Sequence, residues 1–330
     1  MLTALLLQLF GDDPRRETGV YLLLTGKRTV SVLYAGMRAH ILQWLLLYPT
    51  LARTDYQAAI AQLIRAGVLA KTDSGLILTD KNAQVRAAQA IQLPDAYRPW
   101  MGLTAFDQRL TLAVQAVSEN GAGVHHYRPA VSDWGVQQQV RRWYKQGIQP
   151  HTFADELQSL FAALPQAAGD VLAAGFIGHE FVGSGQGDLA TQMRRTQALA
   201  QLVTLLDENT QKWPQTAALW GGRQAIFPRT QTQIVDLLDQ GFSREAIGQR
   251  LRVRPSTVNE HLLTAAIMGQ ALPLEGLFPA GVKGAFDQVP DAAETNYQTI
   301  LTQVPASDFF QVRLFQILQF QGRWPENDRS

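Results

Sequence analysis

The 330-residue chain has no cysteine, little charge and no long apolar run, and each absence removes a class of function. Without cysteine there can be no disulfide, no thiolate zinc or iron–sulfur site and no thiol nucleophile. Charged residues make up 17% of the chain and the formal net charge is +1. Proteins that coat nucleic acid are far more basic, so any DNA contact must come from a local patch. No stretch of about 20 apolar residues is present, so no membrane-spanning helix is expected. Residues 1–10 are apolar but short, lack a basic flank and run into Gly11-Asp12-Asp13, which does not make a secretory signal. The expected location is the cytoplasm.

The motifs of catalysis are also missing. His125-His126, His151, His179-Glu180 and Asp155-Glu156 are the candidate metal or acid/base groups, and none has a His-Glu-x-x-His or paired-aspartate spacing. Thr25-Gly26-Lys27-Arg28-Thr29 ends like a phosphate-binding loop. The upstream glycine of that motif would fall at Tyr21, however, and Arg28 stands where Ser or Thr should follow the lysine. Residues 183–188 are glycine-rich but have neither a preceding strand nor a lysine, and read as a loop between helices. No ATPase, cofactor, metal or other catalytic activity is expected.

What is present is helical. Apolar residues are 46% of the chain, alanine and glutamine are abundant, and β-branched runs are few. The length suggests two or three domains. The expected fold is mainly α: a winged-helix-like module with a small β-hairpin over 1–93, a helical middle over 94–225, and a helix-turn-helix with a helical tail over 226–330. In the first part, 31–47 reads as a helix ending before Pro49. Thr54 reads as the cap of a helix with Tyr56, Ile60, Leu63 and Ile64 at helical spacing, closed by Gly67. Residues 68–71 and 76–79 read as strands around the turn Thr72-Asp73-Ser74-Gly75. The outer face of that helix offers Gln57, Ala58, Ala61, Gln62 and Arg65, and its single cation favours protein contact or plain structure over DNA. In the middle, helices are expected with breaks at 121–129, 147–150, 165–169 and 183–187. At the end, 308–320 should pack back on its domain and 323–330 should fray.

Residues 230–268 carry the clearest motif. Residues 230–240 form a supporting helix through Ile234, Val235, Leu237 and Leu238, closed by Gly241. Then Ser243 caps a helix with Glu245 in its first turn, and Pro255 opens a second. Ile247, Leu251, Val253 and Val258 sit where two helices joined by a tight turn bury apolar residues, and Gly248 lies where they touch. Arg252 occupies the turn position that usually holds glycine, at a cost of about 1 kcal/mol. Arg254 replaces a capping Ser or Thr. In this geometry the second helix enters the major groove by its N-terminal end. The candidate DNA contacts are Arg250, Arg252, Arg254, Ser256, Thr257, Asn259 and Glu260. The alternative is a solvated face beside Glu245 and Glu260. His261 falls inward and reads as a hydrogen-bonded core histidine. A possible second nucleic-acid contact is Arg141, Arg142, Trp143 and Lys145, with bases stacking on Trp143 or Tyr144. The alternative there is an amphipathic helix end with Val140 and Trp143 inward.

Residues 227–263, with Ser256-Thr257-Val258 and His261-Leu262, resemble the helicase-associated helix-turn-helix found at the end of some RecQ-type helicases and in stand-alone proteins. Gly19-Val20-Tyr21, Leu24, Gly26-Lys27-Arg28, Tyr127-Arg128-Pro129 and Val140-Arg141-Arg142 extend the resemblance to the stand-alone YpbB family of Gram-positive bacteria. Leu251 and Arg252 depart from it, since the family places Arg and a small residue there. The resemblance implies a DNA-associated accessory protein whose partner is a RecQ-type helicase in recombination and repair. A sequence-specific transcription regulator and a docking adaptor that does not touch DNA are the alternatives.

Overall fold

The computed structural model describes residues 1–184, 187–289 and 295–325. Among the described residues the chain is mainly helical, with two small antiparallel hairpins. Its first elements are α1 (Leu2–Leu7), α2 (Glu17–Leu24), α3 (Val30–Arg38), α4 (Arg53–Arg65), β1 (Leu69–Thr72), β2 (Gly75–Leu78) and α5 (Lys81–Ala90). Then come α6 (Leu103–Gly121), α7 (Trp134–Lys145), α8 (Pro150–Ala162), α9 (Gln166–Ala173), β3 (Ile177–Gly178), β4 (Phe181–Val182), α10 (Leu189–Glu208) and α11 (Pro214–Trp220). The last are α12 (Arg229–Asp239), α13 (Arg244–Leu251), α14 (Pro255–Ile267), α15 (Ala280–Phe286), α16 (Tyr297–Gln303) and α17 (Phe309–Phe320). Among the described residues no helix is long and apolar enough to cross a membrane.

The chain divides into two compact units, and both are discontinuous in sequence. The first comprises Met1–Glu17 and Thr50–Ile226. Here α1 packs on α4 and α5 through Leu5, Leu6, Tyr56, Ile60 and Leu63, all buried. The β1–β2 hairpin pairs Leu69 with Leu78 and Thr72 with Gly75. A third extended segment joins it: Arg15 N–H donates to Leu76 O and Leu76 N–H to Arg15 O, each at 2.9 Å. Gly75 has φ +154, and a Cβ there would stand 2.5 Å from Arg15 O, so this close approach requires glycine. Helix, helix and a two-stranded wing bridged at Arg15 make the module winged-helix-like.

Local chemistry sets the other element ends, not always where the sequence suggests. α4 starts at Arg53, and Ala52 is its N-cap with no side-chain bond, so Thr54 is not the cap. The outer residues of this helix, Gln57, Ala58, Ala61, Gln62 and Arg65, are exposed as expected. The helix expected over 31–47 stops at Arg38: His40 takes φ +53 and Ile41 N–H bonds back to Gly36 O, closing α3 early. The break expected at 165–169 is only its first residue, because Pro165 is the N-cap of α9 and Gly169 lies inside it. The glycine-rich loop expected at 183–188 falls partly outside the described residues, at 185–186. Its end, Asp188, caps α10 by accepting from Thr191 N–H at 2.9 Å.

α11 sits in the helical part of the first unit, gripped at both ends. Buried Glu156 accepts from Gln215 N–H (3.1 Å), Thr216 N–H (2.9 Å) and Thr216 Oγ1 (3.0 Å), placing a carboxylate at the positive end of the helix. Arg109 donates to Leu219 O (2.8 Å) and Trp220 O (2.7 Å) at the other end. Burial pushes the Arg109 pKa below its usual value. Arg195 and Asp107 join α10 to α6 at 2.6 Å.

The second unit comprises Thr18–Pro49 and Phe227–Ser330. α14 is its axis, packing against α3, α12, α13 and α17. Phe278, Phe286, Phe315 and Trp324 form an aromatic cluster, with Phe315 and Trp324 centroids 4.6 Å apart. α17 begins with a capping box between Asp308 and Gln311 and packs back on the unit as its apolar pattern requires. The fraying expected at 323–330 does not start at Arg323, which donates to Ala266 O (3.1 Å) and Gln270 O (2.6 Å). Trp324 is buried; residues 326–330 lie outside the described residues.

Candidate nucleic-acid interface

The helix-turn-helix is built by three short helices and the two turns between them. α12 buries Ile234, Val235, Leu237 and Leu238 and ends at Gly241, φ +85, with Phe242 N–H bonded to Leu237 O at 3.1 Å. Ser243 then caps α13 by accepting from Ala246 N–H at 3.2 Å, with Glu245 in the first turn. α13 closes by the same left-handed motif, Val253 N–H to Gly248 O at 3.0 Å, but its left-handed residue is Arg252 at φ +54. The turn therefore keeps its glycine geometry without glycine, at the steric cost of a side chain in that region. A Cβ on Gly248 would meet Val253 O at 3.2 Å and Val258 Cγ2 at 3.8 Å, which is why the helix contact needs a small residue there. Pro255 opens α14, and Arg254 is an N-cap without a side-chain bond.

Burial along α14 decides which residues can meet a ligand. Residues 262–267 are all buried among the surrounding helices. Only the first two turns reach solvent, where Ser256 and Glu260 are exposed and Thr257 and Asn259 half-buried. Arg250, Arg252 and Arg254 are exposed around the turn, with the Arg250 guanidinium 5.1 Å from the Phe242 ring centroid. The seven candidate residues thus share one end of the motif. Asn259 is not unencumbered: Arg244 Nη1 donates to its Oδ1 at 3.0 Å. Arg244 gave no signal in the sequence, since nothing in local spacing marks a bond across the turn.

His261 is half-buried, but no hydrogen bond to it occurs among the described residues, so the expected bonded core histidine is not what stands there. It lines a small pocket with Arg28, Phe227, Pro228, Gln231, Thr264 and Met268. Burial holds its pKa below the usual imidazole value, and neighbouring Glu260 opposes that shift.

The other candidates are dispersed. Trp143 is buried, its indole N–H donating to Gln215 O at 2.8 Å and its ring edge-on to Phe153 at 4.9 Å, so its faces are not open to a base. Arg141, Arg142 and Lys145 lie exposed on the outer side of α7. Glu156 is the α11 cap described above. His179 Nδ1 lies 2.9 Å from Glu119 Oε2, and His125 Nδ1 lies 2.9 Å from Asn120 Oδ1. His126, His151 and Asp155 are exposed. Among the described residues no three His, Asp or Glu side chains gather as a metal site.

Residues 230–316 match a family model described as a helix-turn-helix domain. The match runs from α12 into α17, so it takes in the tail helices as well as the motif. No curated protein and no solved structure matches the chain. A helix-turn-helix of this kind fits a DNA-binding role, its second helix being the element that enters the major groove.

Proposed function

We propose that the protein is a DNA-associated accessory factor without catalysis of its own, which meets DNA through the N-terminal turns of α14 and assists a RecQ-type helicase in recombination or repair. The observation that carries the DNA contact is the pattern of exposure: α14 opens to solvent only over its first two turns, and three exposed arginines ring that end. Arg252 and Arg254 supply phosphate contacts. Ser256 and Thr257 face the base edges, and Asn259 joins them when Arg244 releases it. The helicase partner is supported by the sequence resemblance alone.

A chain of formal charge +1 makes few phosphate contacts. This favours an accessory factor held at DNA partly by a partner over an independent repressor. The exposed α4 face of Gln57, Ala58, Ala61, Gln62 and Arg65 suits that partner contact.

The test is a salt series with single-stranded, mixed-sequence duplex and forked DNA. The Arg252→Ala/Arg254→Ala variant should lose about 2 from the salt slope, one per phosphate contact. High affinity for one duplex sequence would instead indicate a regulator. Absence of binding at low salt, with helicase capture intact, would leave an adaptor.

A further inference from the structure

The geometry points to a phosphate-binding subsite in the pocket between Arg28 and His261, formed jointly by the α2–α3 loop and the helix-turn-helix. Four features of different kinds converge on it. Arg28 brings a permanent cation from a segment far away in sequence. His261 brings an imidazole with no hydrogen bond among the described residues. Thr264 is 9% exposed, lines the same pocket, and its hydroxyl likewise has no partner among the described residues. Pro228 and Gln231 belong to the first turn of α12, whose N-cap makes no side-chain bond, so the positive end of that helix adjoins the pocket. A phosphoryl group can accept from a guanidinium, an imidazole N–H and a hydroxyl together, whereas an apolar ligand would leave the His261 imidazole and the Thr264 hydroxyl unmet.

The pocket also lies in line with the proposed DNA contact. Thr257, His261, Thr264 and Met268 follow one another along one flank of α14, from its half-exposed start into the pocket. The turn arginines hold the end of the helix, and Arg28 stands along this flank. A backbone phosphate beside the major groove is therefore one source of the ligand, and a small free phosphate is the other. The first source rests on the DNA-binding reading above; the subsite chemistry does not.

Two measurements decide it on the full chain, with Arg28→Gln and the charge-keeping Arg28→Lys, both checked for unchanged thermal unfolding. With mixed-sequence duplex, Arg28→Gln should lower the salt slope by about 1 and weaken binding to all sequences alike, while Arg28→Lys keeps the slope. That result assigns a backbone phosphate. In the second, inorganic phosphate is titrated at constant ionic strength while the His261 ring is followed by NMR. A rise in the His261 pKa, absent in Arg28→Gln, with an unchanged duplex slope assigns a free phosphate. If neither the slope nor the ring responds to Arg28→Gln, the subsite is overturned, even where Arg252→Ala/Arg254→Ala changes the slope and DNA binding stands. If wild type binds no duplex, the DNA reading falls and the phosphate titration alone decides the subsite.

Discussion

Arg244 Nη2 lies 2.7 Å from Asp308 Oδ2, and the same guanidinium bonds Asn259 and covers the Phe310 ring at 4.3 Å. One side chain at the start of α13 thereby holds α14 and the first turn of α17. Arg244→Ala should lower the stability of the second unit by about 1–2 kcal/mol, seen as a lower urea midpoint. The ion pair supplies little of this, because the Asp308 side chain is 50% exposed and solvent screens it. Asp308→Asn, which keeps a capping side chain, should therefore cost well under 1 kcal/mol. Equal losses from both variants would contradict this division.

The left-handed backbone of Arg252 gives a second prediction. Arg252→Gly should leave stability equal or raise it by up to about 1 kcal/mol, whereas Arg252→Val should lower it by about 1–2 kcal/mol. Both lose the cation, so they should weaken DNA binding alike. A valine variant that melts like wild type would show that the turn does not hold this conformation.

The two grips on α11 predict large effects in the unit that does not carry the proposed DNA contact. Arg109→Ala leaves Leu219 O and Trp220 O without their donor, and Glu156→Ala leaves two first-turn N–H groups without an acceptor. Each should cost about 2–4 kcal/mol. Trp213 and Trp220, buried at either end of this helix, make tryptophan emission during urea unfolding the natural readout. DNA affinity of the folded variants should not change.

His261 sets a pH dependence. Its folded pKa lies below the unfolded value of 6.5, so the unfolded chain binds the proton more readily. Its contribution to stability is complete above pH 6.5 and is lost as pH falls from there towards the folded pKa. His261→Gln should remove this part of the acid-side loss, visible as a flatter melting temperature between pH 7 and 5. A steeper acid-side loss in the variant would reverse the sign argued here.

Legibility followed the range of the interactions. Ser243 as a cap, Gly248 at the helix contact and Arg252 in a glycine turn were readable because each depends on neighbours a few residues away. The β1–β2 hairpin was readable for the same reason. The end of α3 is not legible in the sequence, because His40, not glycine, closes it. Glu156 reads in sequence as a candidate acid/base group but is a helix cap, since its partners lie on a helix that no spacing connects to it.

The sequence by itself determined the mainly helical fold and the helix-turn-helix, through periodic apolar residues and turn chemistry that act within one or two helical turns. Only the tertiary structure decided that residues 18–49 fold with the C-terminal part, that the far end of α14 is closed to ligands, and that Arg28 comes to stand beside His261. Burial and juxtaposition arise when remote segments share a core, and a pairing across such a distance leaves no period in the chain to read.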